Sequence, residues 1–174
     1  MIAAMRDARR IYIEPADADL VFTVEVPIPP AAAWKYWVDP IERQRWACQW
    51  FSKKPDRVTR NARGRVGPGT AMHCNHGPGT WSWEIVDWRP FACITFDATG
   101  SRSGKYVGMR DQLDTFEFLP TPDGGTQVVQ RLRLKHRGKL SLLTYRIQRQ
   151  YITAFLHRLH RHLLNVIAED NTVP

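Results

Sequence analysis

The feature that most constrains the fold is a long amphipathic stretch near the end of the chain, residues 139–168. Its apolar side chains recur at three- and four-residue steps, which is typical of a helix with one apolar face. These side chains are Leu142, Tyr145, Ile152, Phe155, Leu156, Leu159, Leu163, Val166 and Ile167. The pattern predicts a single long helix that has to bury this face against another layer of structure.

The sequence before this helix predicts mainly strands. Residues 20–26 (LVFTVEV) are rich in β-branched and aromatic side chains, which indicates a first strand. Two short helices follow; Pro29 and Pro30 open the first, and Pro40 separates it from the second. Residues 50–134 contain five or six further strands between Gly- and Pro-containing turns. We therefore expect an α+β fold in which a curved antiparallel sheet of six to seven strands wraps around the terminal helix.

Length and composition favour one domain. A chain of 174 residues with 43% apolar side chains has room for one core. We expect an N-terminal extension over residues 1–19, a domain over residues 20–169 and a short tail over residues 170–174. The three cysteines have no CxxC spacing, and no apolar run reaches the length of a signal peptide or a membrane span. These features predict a cytoplasmic protein.

The net charge of +8 is concentrated near the end of the chain. Residues 125–168 contain nine Lys and Arg and no Asp or Glu. A solvated basic face is the simplest interpretation, and contact with an acidic partner or an anionic surface is the alternative. The arginines that would make this contact are Arg146, Arg149, Arg158 and Arg161. Because no aromatic side chains alternate with them as stacking platforms, we expect no specific nucleic-acid partner.

Four segments together resemble the START-like superfamily, also called the Bet v 1-like or SRPBCC group, which includes polyketide cyclases and dehydrases. VFTVEVPIPPAAAWKYWVDPIERQRW is similar to the opening strand and two helices of that family, and GRVGPGTAMHCNHG and WSWEIVDWRPFACITF to its central hairpin. TFEFLPTPDGGTQVVQRLRL resembles its last hairpin. The resemblance implies the helix-grip fold with a deep pocket for a hydrophobic molecule. Members carry lipids or sterols, sense hormones, cyclise polyketides or bind a chaperone.

The tryptophans are the first candidates for the walls of such a pocket. The chain has seven, and we expect Trp37 and Trp83 to line the cavity. An indole offers a flat rigid wall and one N–H donor, which suits a planar or isoprenoid ligand. Packing in the core is the alternative role. From the terminal helix, Phe155 and Leu159 are expected to face the same pocket.

A histidine cluster is the second candidate. His73, Cys74 and His76 contain the side-chain types that bind zinc, but alternation along a strand places only Cys74 and His76 on one face. A structural zinc site needs four ligands, so we expect no metal and no other cofactor. Hydrogen-bonded structural histidines are one interpretation, and a catalytic acid/base role for His73 or His76 is the other.

Polar side chains on otherwise apolar strand faces are the third candidate. Asp114 shares a strand face with Phe116, and Gln130 lies in an apolar row on the next strand. A carboxylate that faces an apolar cavity has a raised pKa and could exchange protons with a ligand. The alternative is an Asp that binds water or a nearby arginine, either Arg110 or Arg131. Thr95 is a lesser candidate for ligand contact.

The segment 100–111 (GSRSGKYVGMRD) has the length and the glycines of a loop over a cavity. We predict that it acts as a gate, with Tyr106 and Met109 beneath it and Lys105 or Arg110 facing an acidic group of the ligand. On the terminal helix, the spacing of His157 and His160 indicates a solvated face more than a metal site.

These candidates support three functional hypotheses. The first is binding or transport of a lipid, an isoprenoid or an aromatic polyketide-like molecule. The second is a cofactor-free cyclase or dehydratase in which His73, His76 and Asp114 move protons. The third is an interaction module that uses the basic helix. A homodimer through a sheet edge or the terminal helix stays open.

Overall fold

The computed structural model describes residues 11–47, 57–59, 63–76, 79–100, 112–134 and 141–172. Within these ranges the chain forms seven strands and three α-helices, in the order that the sequence predicts. They are β1 (Leu20–Val26), α1 (Pro30–Val38), α2 (Pro40–Ala47), β2 (Arg57–Thr59), β3 (Ala71–His76), β4 (Gly79–Arg89), β5 (Cys93–Gly100), β6 (Gln112–Pro120), β7 (Thr126–Leu134) and α3 (Ser141–Thr172).

The seven strands form one antiparallel sheet in the order β1-β7-β6-β5-β4-β3-β2. Buried and exposed residues alternate along β1, so this strand contributes one face to the core, whereas most of β6 is buried on both faces. The pairing of β4 with β5 shifts between Ile85 and Asp87, a β-bulge that increases the local twist of the sheet. In the turn from β6 to β7, Gly124 has a φ of 85°, a conformation that glycine adopts without strain.

One face of the sheet, here called the inner face, packs against the helices. Two neighbouring rows of side chains cross it. The first row is Phe22, Gln130, Phe116 and Ile94, and the second is Leu20, Leu132, Asp114, Phe96 and Ile85. Buried side chains of α3 from Ile152 onward join the same core. The predicted α+β helix-grip fold is therefore confirmed.

The end of α3 is tied to the two short helices. The Asp170 carboxylate accepts hydrogen bonds from Tyr36 Oη at 2.7 Å and from Arg45 Nη2 at 2.7 Å. Trp46 Nε1 in turn donates to the Tyr36 carbonyl at 2.7 Å. These hydrogen bonds, Arg45 above all, hold the pKa of Asp170 well below its usual range. The contacts close one end of the space between the sheet and α3.

The opposite face of the sheet, here called the outer face, is covered in part by residues 11–13. Ile13 is fully buried, and its N–H donates to Thr115 Oγ1 at 3.2 Å. Tyr12 Oη donates to Glu117, which also forms an ion pair with Arg131. Residues 11–13 thus pack on the sheet, whereas the domain boundary expected at residue 20 stays a prediction.

Burial also governs the cysteine chemistry of the described residues. Cys93 is a free, buried thiol, and burial raises its pKa to about 12. The thiol therefore stays protonated and unreactive at neutral pH.

No helix in the described part of the chain combines the length and the hydropathy needed to cross a membrane.

Candidate functional site

A small cavity lies between the two short helices and strands β3 to β5. Its volume is about 10 Å³, which is room for roughly one water molecule. Aromatic and apolar side chains dominate its walls, together with two polar residues. The lining side chains that matter for chemistry are Trp37, Arg43, Thr70, Met72, Trp83 and Phe96. The cavity therefore combines apolar walls with two polar residues, as small-molecule sites do, but it is far smaller than the several hundred Å³ that is roughly typical of them.

Arg43 is the most unusual of these residues because it is charged and only 4% exposed. Arg43 and Trp46 are three residues apart on α2, so one face of this polar helix turns both side chains into the core. The guanidinium carbon lies 4.0 Å from the ring centre of Phe96 and 4.8 Å from that of Trp83. Arg43 Nη1 also donates to the Trp37 carbonyl at 3.4 Å. The aromatic rings and this carbonyl stabilise a positive charge at the cavity wall.

A buried chain of hydrogen bonds lies on the inner face, beside the cavity. Gln130 Nε2 donates to Asp114 Oδ1 at 2.9 Å, and His160 Nε2 lies 3.3 Å from Gln130 Oε1. Because the Gln130 amide nitrogen donates to the carboxylate, its oxygen is the acceptor for His160. His160 therefore carries its proton on Nε2. These hydrogen bonds link α3 to the centre of the sheet through β7 and β6.

Burial shifts the two ends of this chain in opposite directions. It raises the pKa of Asp114 to about 6, although the hydrogen bond from Gln130 and the charge of Arg43 act against the shift. Burial and the neighbouring His157 lower the pKa of His160 to about 4. Near neutral pH the imidazole is neutral, and the carboxyl group exchanges its proton within about one pH unit of neutrality. Asp114 is thus suited to acid–base chemistry.

These shifts predict how the free energy of unfolding depends on pH. Between about pH 4 and 6, folded Asp114 holds a proton that the unfolded chain has lost, so its contribution decreases as the pH rises. Between about pH 6.5 and 4, the unfolded chain protonates His160 and the folded protein does not, so its contribution decreases as the pH falls. The two contributions oppose each other in the wild-type protein.

Removing one of the two groups should reveal the pH dependence that the other group gives to the free energy of unfolding. When the pH falls from 6.5 to 4.5, we expect the free energy of unfolding of Asp114→Asn to decrease by about 2 kcal/mol more than that of the wild type, because the opposing contribution of Asp114 is gone. For His160→Gln, we expect the free energy of unfolding to decrease less than in the wild type. Urea unfolding at several pH values measures this directly. Parallel pH profiles for the wild type and both variants would contradict the assignment.

The structure brings several of the predicted site residues together. Trp37 and Trp83 line the cavity, and Asp114, Phe116 and Gln130 lie on the inner face beside it. On α3, Leu159 is buried and Phe155 is half-buried against the same core.

Other predicted site residues are placed apart from the cavity or cannot be placed. Thr95 lies on the outer face, where its hydroxyl is 2.8 Å from that of Thr115. Tyr106 and Met109, with the proposed gate, lie outside the described residues, as do the side chains of His73 and His76.

Asp114 does not pair with Arg131, one of the two arginines that the sequence offered as alternative partners. Arg131 pairs in register with Thr115 and forms its ion pair with Glu117 on the outer face. Asp114 faces the inner side and meets Gln130 instead. Arg110, the other expected partner, lies outside the described residues.

Two residues of the site were missed by sequence reasoning. Arg43 lies on α2, the most polar of the three described α-helices, and its three-residue spacing from Trp46 was a usable signal of burial. His160 was assigned to a solvated face, but it is buried and continues the apolar stripe through Leu156 and Leu163. That interpretation was wrong for His160, whereas His157 is exposed. Among the described residues, no three metal-binding side chains cluster together.

Comparison with solved structures finds the same fold in several bacterial proteins. A conserved protein from Geobacillus kaustophilus superposes with a TM-score of 0.64 at 14% identity, over 86% of this chain and 94% of that one. Protein Ms6760 from Mycobacterium smegmatis gives 0.59 at 14% identity, over 94% and 96%. DynU16, from the dynemicin biosynthetic locus, gives 0.53 at 14% identity over 83% of this chain. The chain spans 46% of the length of DynU16, and at these identities the likeness concerns the fold alone.

Comparison with protein families gives the assignment. No functionally curated protein matches the sequence. Residues 17–164, most of the chain, match the family described as polyketide cyclase / dehydrase and lipid transport. This match agrees with the helix-grip architecture and with an apolar cavity between the sheet and the helices. The chain therefore belongs to the polyketide cyclase/dehydrase and lipid-transport family, within the START-like superfamily.

Proposed function

We propose that the protein binds a hydrophobic small molecule between the inner face of the sheet and its helices. The observation that carries this proposal is the cavity in which Trp37, Met72, Trp83 and Phe96 form apolar walls around the Arg43 guanidinium. Apolar walls with few polar groups are typical of sites that bind apolar ligands and orient them through one end. The family, which includes lipid carriers and cyclases, supports the same class of ligand.

The size of the cavity sets a condition on binding. A volume of about 10 Å³ holds one small group, so a lipid or polyketide must displace side chains or shift a helix as it enters. Met72 and Trp83 are suited to such movement, since Met is flexible and Trp83 is only partly buried. Binding should therefore be slower than diffusion and should stabilise the folded protein.

A second candidate function is catalysis of a cyclisation or dehydration. The observation in its favour is Asp114, a buried carboxyl group whose pKa of about 6 lets it donate and accept a proton near neutral pH. Asp114 lies directly opposite Phe96, a wall of the cavity, in the register of β5 and β6. In this role Asp114→Asn would lose turnover and keep ligand affinity. His73 and His76 remain proposed partners in proton transfer.

The basic face of α3 carries a third, separate proposal. Arg146, Arg149, Arg158 and Arg161 are all exposed, and a groove of about 650 Å³ runs past Arg146 and Arg149. This face would contact an anionic surface. Reversal of the four charges would remove the contact, and the affinity of the wild-type protein for the surface would fall as the salt concentration rises. A cytoplasmic location, a homodimer and the absence of a nucleic-acid partner remain predictions.

Native mass spectrometry of the protein purified from cells tests the main proposal. We expect a fraction of the molecules to carry a small molecule that denaturing extraction releases and identifies as a lipid, an isoprenoid or an aromatic compound. Return of an altered compound after incubation would favour catalysis. An empty protein whose thermal stability is also unchanged by lipids, isoprenoids and aromatic compounds would contradict the binding proposal.

A further inference from the structure

Trp37, one of the walls of the cavity, has a buried hydrogen-bond donor for which the described part of the chain offers no acceptor. Trp37 is 1% exposed and lines the cavity, and no group in the described part of the chain accepts a hydrogen bond from its Nε1–H. Buried donors in proteins are nearly always paired, because an unpaired one has lost its water without compensation. An acceptor atom is therefore expected in the space beside this indole.

A positive charge lines the same space. The Arg43 guanidinium contacts the rings of Trp83 and Phe96 and lies close enough to the inner face to lower the pKa of Asp114. A guanidinium matches a carboxylate in shape and charge, and such pairs are among the strongest hydrogen-bonded contacts in proteins. The acceptor that best suits the pair of Trp37 and Arg43 is an anionic oxygen.

We propose that the part of the cavity between Trp37 and Arg43 is a subsite for the carboxylate of a hydrophobic acid, bound by Trp37 Nε1–H and the Arg43 guanidinium. The inference rests on the proposed binding function and specifies its ligand. One carboxylate oxygen fits a cavity of about 10 Å³, and the apolar part of the acid takes the space that opens when Met72 and Trp83 move aside. Such a ligand enters with its acidic group first, toward the helices α1 and α2, and not toward the basic face of α3.

The buried charges explain why an acid is preferred to an alcohol of the same shape. A neutral hydroxyl oxygen accepts from Trp37 but has no charge that attracts the Arg43 guanidinium. A carboxylate accepts from Trp37 and also matches the guanidinium in charge and shape. Asp114 is the competing anion on the inner face, and it competes less when it is protonated.

Matched pairs of ligands test the inference in the wild-type protein. The pairs are dodecanoate with dodecanol, geranic acid with geraniol, and 2-naphthoate with 2-naphthalenemethanol, measured by calorimetry at pH 7.5. We expect the acid of at least one pair to bind about tenfold more tightly than its alcohol, the gain typical of a charge-assisted hydrogen bond.

Three variants and one control variant assign this preference to the subsite. Trp37→Phe removes the donor and keeps an aromatic ring, so it should reduce the preference about fivefold, whereas Trp34→Phe on the same helix should not change it. Arg43→Met should remove the preference, so that acid and alcohol bind about equally well, since the buried charge is gone. Asp114→Asn should increase the preference at pH 7.5, because the competing carboxylate is removed.

The possible results distinguish the subsite from the binding function. Alcohols that bind as tightly as their acids in all pairs would overturn the subsite and leave the binding function standing. A preference for acids that is unchanged in Trp37→Phe would overturn it as well, whatever the result for Arg43→Met. If no compound of any pair binds, the subsite is contradicted together with the binding function. Trp37→Phe keeps an aromatic ring in the core and Arg43 in place, so the test does not depend on the folding of Arg43→Met; thermal unfolding confirms that Trp37→Phe and Trp34→Phe are folded.

Discussion

Replacing Trp83 by alanine is expected to weaken the binding of hydrophobic ligands by about thirtyfold, the effect of removing a central tryptophan from a binding surface. Trp83 lines the cavity and contacts Arg43, so its removal takes away one apolar wall and exposes the guanidinium to water. Both changes weaken contact with an apolar ligand. The affinities for dodecanoate, geranic acid and 2-naphthoate, measured by calorimetry, test the expectation.

Trp88→Ala is the matched control for this substitution. Trp88 lies on the same strand and is also partly buried, but it packs against Trp34 and does not line the cavity. We expect Trp88→Ala to lower the stability of the protein and to leave ligand affinity within about twofold of the wild type. Equal losses of affinity in the two variants would mean that global stability, and not the cavity, controls binding.

Leu163→Ala has the largest expected effect on stability. Leu163 is completely buried on the face of α3 that packs against the sheet. Truncating a buried leucine removes apolar contacts and leaves a cavity, which costs about 3 kcal/mol. Urea unfolding followed by circular dichroism measures the change. The expected result is a midpoint at lower urea concentration with an unchanged slope.

Leu143→Ala provides the comparison on the same helix. Leu143 is 69% exposed, so its truncation should change the free energy of unfolding by no more than about 0.5 kcal/mol. The contrast tests whether the C-terminal half of α3 makes the contacts that hold the helix on the sheet. Similar losses in both variants would contradict the packing described for α3.

Most of the fold could be predicted because the apolar periodicities are long and clear. Leu20–Val26 alternates buried and exposed residues as its sequence indicates, and Asp114 and Phe116 share the inner face as expected. In each case a single strand pattern decides the orientation of its side chains. The same alternation could have placed Thr95 on the outer face, since its neighbours Ile94 and Phe96 face inward.

The candidate site was harder to predict because it depends on contacts between distant segments. Nothing local to α2 shows that Arg43 will meet Phe96, which lies more than fifty residues later in the chain. His160 follows an arginine and a leucine in a basic stretch, so its charge pattern concealed its burial. The hydrogen bond between His160 and Gln130 exists only after α3 packs on the sheet. Tertiary contacts of this kind determine the chemistry of the site.

Nuclear magnetic resonance of the indole N–H groups tests the central claim most directly. The seven tryptophans each give one such signal, and single Trp→Phe variants assign them. Addition of the tightest binder among the hydrophobic acids should shift the signals of Trp37 and Trp83, which line the cavity, and leave those of Trp34 and Trp88 nearly unchanged. Shifts confined to tryptophans away from the cavity, or no shift at saturating ligand, would contradict binding between the inner face and the helices.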